Sequence, residues 1–115
     1  MITGVTTPGS LDWFVITTDD RSIHLTVSAP GQEAWQDSIR WDTVIRVCLE
    51  AEPGISDCLY VFTSLRPESW VIPMEAAGGP QLLDELVRRS LFHSELAAEA
   101  AKTVTGLFCW PPAQP

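Results

Sequence analysis

The chain has 115 residues, 45% of them hydrophobic, and seven Lys and Arg against fifteen Asp and Glu give a formal net charge of −8. That length suits one domain, residues 1–115, with interior enough for one core. The acidic balance speaks against nucleic acid and anionic membrane surfaces, which both need basic clusters, and suits steering toward a basic partner; the expected contact is a protein partner or self-association.

Met1–Ser10 and Pro111–Pro115 show no periodicity and are expected to be loose ends. Met1–Ser10 also lacks the basic and apolar parts of a secretory signal. No apolar run nears the ~20 residues that span a bilayer.

Leu11–Thr17 is rich in aromatic and β-branched residues and reads as a strand. Ser22–Ser28 alternates, with Ile23, Leu25 and Val27 on one face and His24 and Thr26 on the other. The polar Thr18-Asp19-Asp20-Arg21 between them predicts a hairpin turn. Ala29-Pro30-Gly31-Gln32 breaks the chain, and Trp35 follows in a polar, loop-like context. Ile39–Leu49 fits strand alternation and a helical stripe almost equally. Its β-branched residues favour a strand with a bulge or bend at Asp42-Thr43. Glu52-Pro53-Gly54 predicts a turn, Cys58–Thr63 a strand, Leu65–Glu68 another turn, and Trp70–Ile72 a short strand ended by Pro73.

The pattern then changes to helix. Gly78-Gly79-Pro80 places proline at a first helical position, and Leu82, Leu83, Leu86, Val87 and Leu91 follow at helical spacing. Asp84-Glu85 early and Arg88-Arg89 late suit the helix dipole. Ser94 is the expected cap of a second helix from Glu95 to about Val104, stopped by Gly106. Leu107-Phe108-Cys109-Trp110 is an apolar tail that must return to the core or to a partner. Strands followed by helices imply an α+β fold: a strongly bent antiparallel sheet, as a roll or partial barrel, followed by two C-terminal helices.

Ile39-x-Trp41-x-x-Val44-Ile45-x-x-Cys48, an acidic residue, the strand LYVFT and Val71-Ile72-Pro73 before a helix together resemble small bacterial pleckstrin-homology-like domains, in particular the YcxB-like C-terminal pattern. The resemblance covers residues 37–91 and implies a seven-stranded roll capped by a helix, of which five strands are counted here. Met74-Glu75 stands where that family carries a basic residue, and the second helix and the Phe108–Pro112 tail lie outside the pattern.

No constellation demands a particular chemistry, so no enzyme, cofactor or metal is expected. Cys48, Cys58 and Cys109 form no CxxC pair; their odd number without a targeting signal predicts reduced, buried thiols in a cytoplasmic protein. His24 and His93 cannot be set beside a cysteine from sequence, as a Cys–His nucleophile would require. His93-Ser94-Glu95 with Glu99 reads as a helix start, Asp19-Asp20 as a turn, and Gly78-Gly79-Pro80 as a flexible helix start rather than a phosphate cradle. Five tryptophans crowd one small core. Trp35 and Trp110 are therefore the candidates for a partner surface, with loop-stapling as the plainer role. The expected function is a non-catalytic binding or interaction domain. The alternatives are a small-molecule groove between sheet and helices, or an acidic protein that neutralises a basic partner.

Overall fold

The computed structural model describes residues 11–51, 57–103 and 105–111. Met1–Ser10, the expected turn at Glu52-Pro53-Gly54, Val104 and 112–115 lie outside them. The fold is α+β. Among the described residues, two four-stranded sheets, the second including a returning strand β8 (Gly106–Trp110), and the helices α1 (Gly79–Arg88) and α2 (Ser94–Lys102) make up the main elements.

The predicted hairpin is β1 (Leu11–Thr18) and β2 (Ser22–Val27), paired Ile16↔Leu25 and Thr18↔Ile23. Asp19 closes its turn, its Oδ1 accepting from the amides of Arg21 and Ser22, both at 2.9 Å. A strand the sequence did not announce, β3 (Trp35–Arg40), pairs with β2 in register Ile23↔Ile39. Trp35 therefore lies in a strand and not in a loop. β3 is an edge strand, exposed at every residue except Ile39, so it carries none of the alternation that marks a half-buried strand.

The stretch Ile39–Leu49 is not one bent strand. A 3-10 turn at Trp41–Thr43 divides it, and β4 (Val44–Ala51) starts a second sheet. Trp41 pins this crossing: its ring is buried, and its Nε1 donates to the Asp19 carbonyl at 2.8 Å. The second sheet has the order β6–β5–β4–β8, with β5 (Cys58–Thr63) and β6 (Arg66–Pro73). β6 begins four residues earlier than the predicted Trp70–Ile72, and the turn before it is Ser64-Leu65. A two-residue strand β7 (Ala76–Ala77) lies parallel to β1, so the first sheet is mixed: β3–β2–β1–β7. The two sheets do not close into a barrel.

The core fills the space between the sheets. Ile23 and Leu25 from the first meet Val47, Leu59, Val61 and Ile72 from the second, and Leu82, Leu86 and Phe92 close it. Each such fully buried side chain contributes about 1.5–3 kcal/mol through removal of apolar surface from water. Leu82 and Leu86, one turn apart, are the inward stripe of α1, as the helical spacing predicts.

The helix ends differ from expectation in three places. Asp84 and Glu85 lie beyond the first turn of α1, which has no acidic residue; Glu85 instead pairs with Arg88 and Arg89. α2 is capped by His93, whose ring nitrogen accepts from the Glu95 amide at 3.1 Å, leaving Ser94 as the first helical residue. Gly106 does not stop α2, which ends at Lys102; it opens β8. The apolar tail thus returns to the sheet, pairing with β4 in register Leu49↔Phe108.

Candidate functional site

Three groups of side chains could carry function, and the fold sets them apart. The first is on the outer face of the first sheet. His24 and Ser38 are opposite one another on β2 and β3, and Asp19 sits in the preceding turn. His24 Nε2 lies 2.7 Å from Asp19 Oδ2, and Nδ1 lies 2.8 Å from Ser38 Oγ. Nε2 is placed to donate to the carboxylate; Nδ1 accepts from the Ser38 hydroxyl when it carries no proton and donates to its oxygen when it does. The hydrogen bond from His24, followed by the amides of Arg21 and Ser22, lowers the Asp19 carboxyl to about 2. The amide of Ser38, which would flank a nucleophile there, is taken by Asp37 Oδ1 at 2.9 Å. The chain of bonds ties the hairpin turn to the edge strand.

The tryptophans form the second group. Val47 pairs with both Val61 and Trp110, and Val61 with Trp70, so Trp70 and Trp110 end one row on the inner face of the second sheet. Trp35 packs at 6.5 Å from Trp70 and edge-on to Phe14 at 6.3 Å, closing the gap between the sheets along the β3–β6 side. It remains 42% exposed. A bulge in β6, where Pro67, Glu68 and Ser69 face Phe62 alone of β5, turns the carbonyls of Glu68 and Ser69 toward Arg66; its guanidinium binds both and covers Trp70 at 3.8 Å. Trp110 is half-buried against the His93 ring, centroids 4.8 Å apart. Trp35 and Trp110 lie on opposite edges of the sandwich, so they do not form one surface. The groove expected between sheet and helices is an open recess of about 370 Å³ lined by His93, Glu95, Leu96, Cys109 and Trp110.

The third group is the outer face of the second sheet, on which the cysteines lie. Cys48 on β4 is directly opposite Cys109 on β8, and the two form a disulfide with their Cα atoms 4.0 Å apart. The expectation of reduced thiols fails for this pair, and with it the thiol argument for a cytoplasmic location. The bond follows from the return of β8: pairing in this register sets the two side chains side by side on one face. Cys58, outside the disulfide, is half-buried on the same face. So is Tyr60, whose hydroxyl donates to Glu50 Oε1 at 2.5 Å.

Of the two helices, α2 contacts this sheet, at β4 and β8. Four of the six large hydrophobic residues exposed among the described residues are on the outer face or at its rim: Ile45 (57%), Leu65 (76%), Val71 (53%) and Leu107 (62%). Ile45 is the extra residue of a bulge in β4, and it shares a shallow groove of about 410 Å³ with Phe62, Leu65 and Pro67. The sequence reading missed this surface because its residues come from four strands. The signal available was that Cys58–Phe62 is hydrophobic at both alternating sets of positions, as in a strand covered on two sides.

Gly78 and Gly79 have a packing role. Gly78 adopts φ +92°, and a Cβ there would meet the Ile16 carbonyl oxygen at 2.2 Å; one on Gly79 would meet that of Met74 at 2.3 Å. Glycine lets the start of α1 press onto β1 and the β6–β7 turn. Among the described residues no three His, Cys, Asp or Glu side chains converge to hold a metal, and no helix is long and apolar enough to cross a membrane. Compared with known proteins, the chain matches no family model, no curated protein and no solved structure.

Proposed function

We propose that this is a non-catalytic interaction domain whose contact is the outer face of the β6–β5–β4–β8 sheet. The observation that carries the reading is the set of Ile45, Leu65, Val71 and Leu107, all more than half exposed among the described residues and grouped around one sheet face. A grouping of exposed large apolar side chains is what a contact site presents. The outer face of the first sheet, apart from Val15 opposite Thr26, presents His24, Thr26, Gln36 and Ser38 and suits water. Three strands, a switch of sheet, three more strands and a closing helix also support kinship with the pleckstrin-homology-like roll, with β7, α2 and β8 as additions.

A photo-crosslinking residue at Val71, compared with one at Thr26, tests the reading in cells. Cross-links to protein from position 71 and none from position 26 are expected. Equal yields, or none from position 71, would sink it. The recess beside α2 favours a second reading, a small-molecule site, which a metabolite screen by thermal shift would reveal.

A further inference from the structure

We propose that the partner at this face is a second copy of the same chain, packed sheet against sheet about a two-fold axis that crosses β4 at Cys48. The inference rests on the reading of the face as a contact and adds to it the identity of the occupant.

The argument starts from alternation along β4. Val47, Leu49 and Ala51 point into the core, so Arg46, Cys48 and Glu50 point outward. Pairing then places Val71, Tyr60, Cys48 and Cys109 in one row across the sheet, without a formal charge. Arg46 lies in the row on one side and Glu50 in the row on the other, each about 7 Å from Cys48 along the strand. The outward positions of β4, β5 and β8, and of β6 from Ser69 to Pro73, thus hold one cation and one anion.

An isologous contact needs a patch that complements itself. A two-fold axis in the contact plane, perpendicular to β4 through Cys48, reverses the strand. It sets Arg46 of each copy over Glu50 of the other, while the neutral rows face each other. Arg46 and Glu50 are each only partly buried, and Glu50, with Tyr60 on one oxygen, keeps lone pairs for a guanidinium of the second copy. A basic partner would find no net charge on this face, since the surplus behind the −8 total lies elsewhere on the chain. Four strands spaced ~4.8 Å apart and 5–8 residues long offer a footprint of roughly 20 by 25 Å. That is the low end of stable interfaces, which predicts association in the micromolar range.

Salt separates the two kinds of partner. Two copies at −8 repel at long range, and at about 0.15 M salt the screening length falls to ~8 Å. Self-association should strengthen between about 10 mM and about 150 mM salt, whereas binding of a basic partner weakens.

Sedimentation velocity of the full chain up to about 200 μM is the test. A dimer is expected, lost in Val71→Asp and weakened about tenfold or more in Arg46→Glu and in Glu50→Arg, with the double exchange restoring it. Urea midpoints of the variants separate lost contact from lost fold. A monomer throughout, or a dimer indifferent to Val71→Asp and to both charge reversals, overturns the proposal. If the chain is monomeric while position 71 cross-links to a different protein, self-association falls and the interaction reading stands; if position 71 yields nothing, both fall.

Discussion

Reducing the Cys48–Cys109 bond removes a cross-link between residues 61 apart in sequence. In the unfolded chain that link forbids the conformations in which β4 and β8 are far apart, and its loss restores their entropy. For a loop of this size the restraint amounts to about 4 kcal/mol at 25 °C. This is a large share of the 5–15 kcal/mol that holds a domain together. The native state keeps the β4–β8 ladder and the packing of Phe108 and Trp110 either way, so the difference should come from the unfolded chain. Urea unfolding of oxidised and reduced protein reads it directly. With a slope of about 1.5 kcal/mol per molar, the midpoint should fall by about 2.5–3 M on reduction. Thiol titration of the unfolded protein identifies the starting state: one of the three cysteines reacts when the bond is present and all three after reduction. A midpoint shift below about 0.5 M in protein shown to hold the bond would refute the entropic reasoning. Three reactive thiols under non-reducing conditions would refute the bond itself.

Other perturbations follow from single contacts. Gly78→Ala forces a Cβ to within 2.2 Å of the Ile16 carbonyl oxygen at φ +92°, so loss of the cooperative urea transition or a fall of about 3 kcal/mol or more is expected. Leu86→Ala leaves a cavity where α1 meets the core and should cost about 2–5 kcal/mol by the same assay. His93→Ala removes the α2 cap, costing about 0.5–1 kcal/mol, and should change Trp110 fluorescence because the two rings are in contact. Asp19 has a depressed carboxyl, so its contribution to stability is fully present above the usual 3.8 and is lost as pH falls through about 2. The Asp19→Asn variant should therefore lose less stability than the natural chain between about pH 4 and pH 2, measured by urea midpoints.

How much was legible in the sequence depended on whether a residue's surroundings came from its own neighbours. The β1–β2 hairpin was readable because Ile23, Leu25 and Val27 alternate with polar residues and Asp19 supplies the turn. α1 was readable because Leu82 and Leu86 fall one turn apart and Pro80 marks its start. The α+β class followed from the order of those patterns. β3 was hidden because an exposed edge strand needs no apolar face, and its pairing with β2 supplies what its side chains do not signal. The division at Trp41–Thr43 was hidden for another reason: bulge, bend and change of sheet all interrupt the alternation in the same way. The pairing of β4 with β5 and β8 instead of β2, and the bond from Trp41 to the Asp19 carbonyl across 22 residues, distinguish them.

The surface proposed for contact shows the boundary most plainly. Sequence by itself determined that the chain is acidic, that Cys58–Phe62 is hydrophobic throughout, and that Arg46 and Glu50 sit two residues either side of Cys48. Tertiary structure decided that β8 returns beside β4, that Cys109 meets Cys48, and that Val71 and Leu107 join them on one face. The reason is physical: alternation fixes which side of a strand a residue occupies. Which strands stand side by side, and which of their side chains share one face, is set by how the whole chain buries its core.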